Sequence, residues 1–174
     1  MKPAMNMQGG AEKADAIILD TLSAVQPAVE WVHDAATEIS CNDFKNDATG
    51  TGSATRRAAV TTRVSDVRRG SLLGLVERHW KKRGYEITSV DADEELPVIY
   101  AATPDDFRMS LAVGHKGQFF LSVTTPCLGE SAVLPPATKP NGPGREGRPV
   151  PAPDVHDDFW SSLGGLSAGG GRTA

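Results

Sequence analysis

The stretch Ser65-Asp-Val-Arg-Arg-Gly-Ser-Leu-Leu-Gly-Leu-Val-Glu-Arg-His-Trp-Lys-Lys-Arg-Gly84 predicts the α-helix around which the fold is built. An apolar stripe at helical spacing runs through it, formed by Leu72, Leu73, Val76 and Trp80. Ser65 is placed to cap the amino end, and Gly84 is placed to end the helix in the left-handed conformation. Interior glycines each cost about 1 kcal/mol against alanine. We therefore expect Gly70 and Gly74 to mark a close approach of the helix to a sheet.

After this helix, apolar and polar residues alternate with period two, which is typical of β-strands. Strands are predicted over residues 85–90, 98–103, 107–113 and 119–125. The strand over 107–113 has the clearest alternation, with one apolar and one polar face. Short connections between successive strands imply an antiparallel meander.

The residues before the central helix complete the predicted fold. An amphipathic helix is expected from Ala11 until Pro27 disrupts the pattern. The pattern over residues 29–34 fits a short extended segment and a second helical piece about equally well. Residues 42–53 read as a polar loop, and residues 57–64 as a strand rich in β-branched side chains. The fold class is therefore α+β, with two helices on one face of a mainly antiparallel sheet of four to five strands.

Length and composition predict one soluble domain with unstructured ends. The chain has 174 residues, of which 39% are hydrophobic, and a formal net charge of −4. We expect a disordered N-terminus over 1–10, a domain over 11–130 and a disordered tail rich in proline and glycine over 131–174. Within that tail, Phe159 and Trp160 either dock on the domain or have no role, or they form a short motif for a partner. No apolar run is long enough to predict a membrane span.

No motif in the sequence indicates catalysis, a metal or a cofactor. The four histidines include no pair with the spacing of a zinc helix, and we expect His79 and His115 to lie at the surface. A nucleophile elbow and a phosphate-binding loop are also missing from the sequence. We therefore predict a protein that is not an enzyme and that has no metal site and no cofactor.

The two cysteines are the main indication of a cellular compartment. Cys41 precedes the predicted strands and Cys127 follows the last of them. A bridge between them would close a loop of about 85 residues and stabilise the fold by roughly 4 to 5 kcal/mol. The alternative is a pair of unrelated reduced thiols in a cytosolic protein. The spacing fits neither a zinc site nor a redox pair.

Nine basic residues lie between Arg56 and Arg83, which is a much higher density than elsewhere in the chain. The residues predicted to form an anion-binding group are Arg68, Arg69, Arg78, Lys81, Lys82 and Arg83. If they share one face, they would bind phosphates of nucleic acid or of lipid head groups. Otherwise those at the helix end complement the helix dipole and the others are solvated. The small net charge and the missing aromatic pattern argue against nucleic acid.

Several short segments give the chain a family resemblance. They are Thr49-Gly-Thr-Gly52, Trp80-Lys-Lys-Arg-Gly-Tyr85, Thr103-Pro-Asp-Asp-Phe107 and Thr125-Pro-Cys127. Together they resemble small secreted proteins and putative lipoproteins of actinobacteria of unknown function, over roughly residues 11–127. Such proteins usually begin with a signal peptide and a lipobox, which this sequence does not contain. The resemblance implies an envelope-facing domain with a bridge between Cys41 and Cys127, and it supplies no catalytic residues.

The sequence therefore predicts a non-catalytic binding module outside the cytoplasm, closed by one disulfide, whose partner is a protein or another envelope ligand. The sheet face that the helices leave uncovered is the expected binding surface. The alternative is a cytoplasmic nucleic-acid-binding or regulatory protein that uses the basic residues between 56 and 83.

Overall fold

The computed structural model describes residues 5–114, 117–142 and 152–163. Its elements, in chain order, are α1 (Met7–Ser23), β1 (Trp31–Asn42), β2 (Ala48–Val60), α2 (Asp66–Lys82), β3 (Glu86–Asp91), β4 (Val98–Ala102), β5 (Arg108–Val113), β6 (Phe119–Thr124) and β7 (Leu128–Gly129). The predicted α+β class is confirmed. Within the described residues the sheet contains seven strands rather than four to five, because β1 extends to Asn42 and the short strand β7 follows the meander.

All named strand pairs are antiparallel, and the sheet order is β1-β2-β6-β5-β4-β3, with β7 paired to β2. The meander predicted after α2 is confirmed, since β3, β4, β5 and β6 pair successively. The hairpin of β1 and β2 adds to the far side of this meander. Strands β1 and β3 are consequently the two edges of the sheet.

Both helices pack on one face of the sheet, where α1 lies over β2 and β6 and α2 lies over β3 and β4. The core between them is apolar, and its largest fully buried side chains include Ile18, Leu72, Trp80, Phe107, Phe119, Leu121 and Trp160. Alternate residues of β5 and β6 are buried, as the period-two pattern predicted. Among the described residues, no helix is both long and apolar enough to cross a membrane.

The segment over residues 42–53 was predicted to be a loop, and this prediction is correct only for residues 43–47. Strand β1 continues to Asn42 and β2 begins at Ala48, so the turn of the hairpin spans only residues 43–47. Pairing with β1, rather than the weak strand propensity of this polar segment, makes it extended.

Upstream, of the two alternatives for residues 29–34, the extended one is correct. Helix α1 begins at Met7, earlier than predicted, because the Asn6 side chain accepts a hydrogen bond from the Gly9 amide at 2.9 Å.

Helix α2 matches its prediction in extent but not in every detail. Gly84 has φ +85°, as the predicted left-handed end requires. The Ser65 hydroxyl does not cap the helix but donates to the carbonyl oxygen of Ser162 at 2.6 Å. The expectation that Gly70 and Gly74 lie against the sheet is also wrong. Gly70 faces open space and Gly74 faces the Arg78 guanidinium, since the buried stripe lies on another side of the helix.

The segment over residues 152–163 packs on the domain. Trp160 is fully buried and donates its indole N–H to the Pro27 carbonyl oxygen at 2.6 Å. The backbone of this segment accepts hydrogen bonds from the Arg63 amide at 2.7 Å and from the Ser65 amide at 2.8 Å. Of the two alternatives for Phe159 and Trp160, docking on the domain is therefore the one observed.

Candidate functional site

The sheet face opposite the helices, which we call the outer face, is accessible in the described structure. Its exposed or partly buried side chains include Thr55, Arg57, Val98, Tyr100, Ala102, Arg108, Ser110, Ala112, Phe120, Ser122 and Thr124. These residues alternate along β2, β4, β5 and β6 with the residues that enter the core. The outer face is therefore a direct consequence of the period-two pattern in the sequence.

The register of the strands places side chains of the outer face in rows across the sheet. One row runs from Tyr100 through Ser110 and Ser122 to Arg57. Three strand spacings separate the two ends of this row, which is about 14 Å. Because the two serines between them are small, the row forms a shallow trough with an aromatic ring at one end and a guanidinium at the other.

The outer face offers hydrogen-bonding groups beside apolar surface. Thr55 and Thr124 place their hydroxyl oxygens 2.9 Å apart on adjacent strands. Arg57 donates to the Ala35 carbonyl oxygen and to the Thr37 hydroxyl, each at 3.1 Å, which fixes its guanidinium at the border of the trough. Carboxylates lie at the borders of this face, since Asp34 of β1 is paired with Arg57 and Glu86 and Asp91 of β3 are paired with Ala102 and Val98.

A second polar cluster joins the two helices. Asp20 of α1 contacts His79 Nε2 at 2.8 Å and accepts from Arg83 Nη2 at 2.6 Å. Burial raises the pKa of the Asp20 carboxyl, but the hydrogen bonds and charges of His79 and Arg83 outweigh burial, and the net pKa is lowered. The expectation that His79 lies at the surface is wrong, since its side chain is only 15% exposed. His115 lies outside the described residues.

The Asp20 cluster extends toward the turn between β4 and β5. Lys13 forms an ion pair with Asp105. Burial raises the pKa of the Asp105 carboxyl, but the hydrogen bonds from Lys13 and Thr103 outweigh burial, and the net pKa is lowered. Burial and the nearby Asp20 charge raise the pKa of Tyr85. The acids and bases of this region are thus paired with one another across α1, α2 and the turn, which is the arrangement of a structural ion network.

A buried ion pair lies between α1 and the sheet. Asp15 Oδ1 is 3.2 Å from Arg56 Nε, and the two side chains are 5% and 3% exposed. Burial raises the pKa of Asp15, while the charges of Arg56 and His33 act in the opposite direction. Arg56 also donates to the Leu134 carbonyl oxygen at 2.6 Å. This arginine belongs to the dense basic region of the sequence but is removed from the surface.

The six residues predicted to bind anions separate into two groups along α2. Arg68 and Arg69 lie in its first turn, where Arg69 pairs with Asp66 at 2.7 Å and Arg68 lies over the Phe159 ring at 3.9 Å. Arg78, Lys81, Lys82 and Arg83 lie at the other end, and the nearest of them, Arg78, is about 14 Å from Arg69 along the helix axis. In that second group, Lys81 pairs with Glu77 at 2.9 Å and Arg83 pairs with Asp20. The structure therefore does not bring the six residues together on one surface.

Cys41 and Cys127 are joined by a disulfide bond, with their Cα atoms 6.2 Å apart. Cys41 lies near the end of β1 and Cys127 lies between β6 and β7. The bond therefore connects the β1–β2 hairpin to the end of the meander. Within the described part of the chain, no three His, Cys, Asp or Glu side chains are grouped so that they could hold a metal ion.

Comparison with known proteins gives little similarity. No protein-family model matches the sequence, and no curated protein matches it. The fold resembles the crystal structure of a DUF4853 family protein from Actinomyces odontolyticus ATCC 17982, at a TM-score of 0.42 and 10% identity. That match covers 86% of this chain and 82% of the other. A likeness this distant does not assign the chain to that family.

The sequence analysis predicted that the uncovered sheet face is the binding surface, but it did not name the individual residues of that face, and it did not single out Phe44. The outer-face residues could have been found from the alternation in β4, β5 and β6, but the pairing of β2 with β6, which brings Arg57 into the row, could not. Phe44 is 94% exposed in the turn of the β1–β2 hairpin. Phe44 could have been found from the sequence because it is a single aromatic residue in a polar segment.

Proposed function

We propose that the protein is a non-catalytic binding module of the bacterial cell envelope, and that its outer face binds a protein or another envelope ligand. The observation that carries this proposal is the outer face itself. Four adjacent strands present a continuous surface with Tyr100 and Phe120 beside hydroxyl groups, and neither helix packs on it. Aromatic side chains beside small polar ones are typical of binding surfaces.

The rigidity of this surface supports a binding role. The outer-face residues of β5 and β6 stand on central strands whose other faces are buried in the core. The backbone of these two strands is therefore already ordered, so that binding of a ligand would order little additional main chain. The disulfide between Cys41 and Cys127 further supports a location in an oxidising compartment such as the envelope.

The division of the basic residues into two groups does not favour the alternative of a nucleic-acid-binding protein. A phosphate backbone is recognised by several cations on one accessible surface. Arg56 is buried here, and Lys81 and Arg83 are paired with carboxylates.

The proposal is tested by filling the trough. In a Ser110→Arg, Ser122→Arg double variant, two long charged side chains would occupy the space between Tyr100 and Arg57. The matched control is Ser71→Arg, which changes an exposed serine of α2 on the opposite side of the sheet. Both variants are compared with the unmodified protein in co-sedimentation with washed bacterial cell walls and with immobilised envelope proteins.

We expect the double variant to lose at least tenfold in affinity, about 1.4 kcal/mol, while the control binds normally. Circular dichroism and thermal unfolding establish that both variants are folded. Equal binding by the double variant and by the control would rule out the outer face as the binding surface.

A further inference from the structure

We propose that the free edge of β3 binds an extended basic peptide segment as an additional strand of the sheet. Strand β3 (Glu86–Asp91) is the last strand of the sheet, and five of its six residues are exposed. On an edge strand, about half of the backbone N–H and C=O groups point away from the neighbouring strand. Peptides that add to such an edge gain affinity from main-chain hydrogen bonds and specificity from their side chains.

The two edges of the sheet differ in how they are covered. At the β1 edge, the Trp31 amide donates to Asn141 Oδ1 at 2.8 Å and the Trp31 carbonyl accepts from the Gly142 amide at 3.1 Å. His33 of the same strand bonds to the Thr138 carbonyl oxygen at 2.8 Å. The chain thus covers the beginning of β1 with its own residues. Across the ranges that the structure describes, no comparable backbone hydrogen bond reaches the outer edge of β3.

An apolar side chain at the β3 edge is also left uncovered. Val90 pairs with Ile99 and lies on the helix side of the sheet, yet Val90 is 51% exposed and Ile99 is 3% exposed. Helix α2 lies over β3 and β4, yet it leaves about half of Val90 exposed. A further strand beside β3 would bury the exposed part of Val90, which is a gain in hydrophobic free energy for the complex.

The charges at this edge determine which kind of strand is favoured as a partner. Glu86 and Asp91 stand at the two ends of β3, and Asp93, Glu94 and Glu95 follow in the next turn. If two copies of this chain paired antiparallel through β3, Glu86 of each copy would face Asp91 of the other, and like charges directly opposite are destabilising. A strand that carries lysine or arginine would instead meet opposite charges. A second copy is therefore disfavoured and a basic segment is favoured.

The register shift in β3 limits the length of the added strand. The pairing with β4 is irregular between Ile87 and Ser89, which is the position of a bulge. Bulges interrupt the straight row of edge groups and so restrict unselective strand pairing. The regular part of the edge, from Ser89 to Asp91, is next to the exposed Val90 and to the acidic turn, and we place the centre of the added strand there.

A synthetic probe tests this proposal without knowledge of the natural partner. The probe is the capped, fluorescent peptide Lys-Val-Lys-Val-Lys-Val-Lys. Its two controls are the same peptide with alternate backbone amides methylated, and a peptide in which glutamate replaces every lysine. Binding is measured by fluorescence anisotropy on the whole protein. We expect saturable binding of the lysine peptide below about 1 mM, and at least tenfold weaker binding of both control peptides.

Variants of the protein locate the site. Glu86→Lys together with Asp91→Lys should weaken the lysine peptide at least tenfold, whereas Glu38→Lys, an exposed change on the other edge strand, should not. Ser110→Arg with Ser122→Arg should also leave peptide binding unchanged, so this proposal and the outer-face proposal can fail separately. The edge proposal is overturned if the lysine peptide does not bind, if the methylated peptide binds equally well, or if the Glu86 and Asp91 changes have no effect.

Discussion

The indole N–H of Trp160 donates to the backbone carbonyl of Pro27 across 133 positions of sequence, at a distance of 2.6 Å. This contact holds the segment over residues 152–163 against the core, next to the residues that follow α1. Trp160 is also edge-to-face with Phe159, with ring centroids 4.8 Å apart. This segment therefore belongs to the folded unit.

The first prediction concerns Trp160. We expect Trp160→Ala to lower the free energy of unfolding by about 3 to 5 kcal/mol, because it leaves a large cavity and an unpaired Pro27 carbonyl. Urea denaturation followed by circular dichroism measures this change. Leu163→Ala is the control, since Leu163 is 82% exposed and its truncation should cost little. Similar stability of the two variants would contradict a structural role for the segment.

The second prediction concerns the disulfide. We expect replacement of Cys41 and Cys127 by alanine to lower the free energy of unfolding by roughly 4 to 5 kcal/mol, because the unfolded chain loses the constraint of a long closed loop. Urea denaturation of the double variant, and of the unmodified protein with and without reductant, measures this loss. In the intact protein, mass spectrometry after alkylation under denaturing conditions should detect free thiols only after reduction. Two alkylated cysteines without reductant would mean that the bond is not formed.

The third prediction concerns the buried pair of Asp15 and Arg56. Removal of one partner leaves a buried charge uncompensated, so Asp15→Leu or Arg56→Met alone should each cost about 3 to 5 kcal/mol. The double variant replaces both charges with apolar side chains and should be more stable than the sum of the single changes by about 1 to 3 kcal/mol. A double-mutant cycle of unfolding free energies measures this coupling. Additive effects would show that the two side chains do not interact.

The fourth prediction concerns the pH dependence that Asp20 introduces. The pKa of Asp20 is lower in the folded protein than in the unfolded chain, so its stabilising contribution is present above about pH 4 and is lost as the pH falls through the folded pKa. We expect Asp20→Asn to cost about 1 kcal/mol at pH 7 and less at pH 3, because the contacts with His79 and Arg83 are partly exposed to solvent.

Unfolding in urea at the two pH values measures this difference. Glu38→Gln is the matched control, because Glu38 is exposed and has no hydrogen bond or ion pair in the described parts of the chain. A stability loss for Asp20→Asn that is as large at pH 3 as at pH 7 would contradict the assigned ionisation.

Local patterns account for the parts of the fold that the sequence predicted correctly. Helix α2 and the strands of the meander follow from the spacing of apolar residues, since neighbours in sequence are also neighbours in these elements. The polar hairpin segment over 42–53 was missed because its extended shape depends on pairing with β1. His79 was misplaced for a similar reason, since its partner Asp20 is 59 positions away in sequence.

The features of the candidate site can likewise be separated into those that local sequence patterns predict and those that depend on contacts between distant segments. By itself, the sequence determined that apolar and polar residues alternate along the strands of the meander, because this statement needs only the order of residues along the chain. The prediction that the two cysteines flank the strands is wrong, since Cys41 lies inside β1 and Cys127 lies between β6 and β7. The tertiary structure alone decided that β2 joins β6 and brings Arg57 into the trough, that the basic residues of α2 separate into two groups, and that no strand within the described residues pairs with the outer edge of β3. These features depend on contacts between distant segments, and the free energy of such contacts is set by packing in three dimensions rather than by any local pattern.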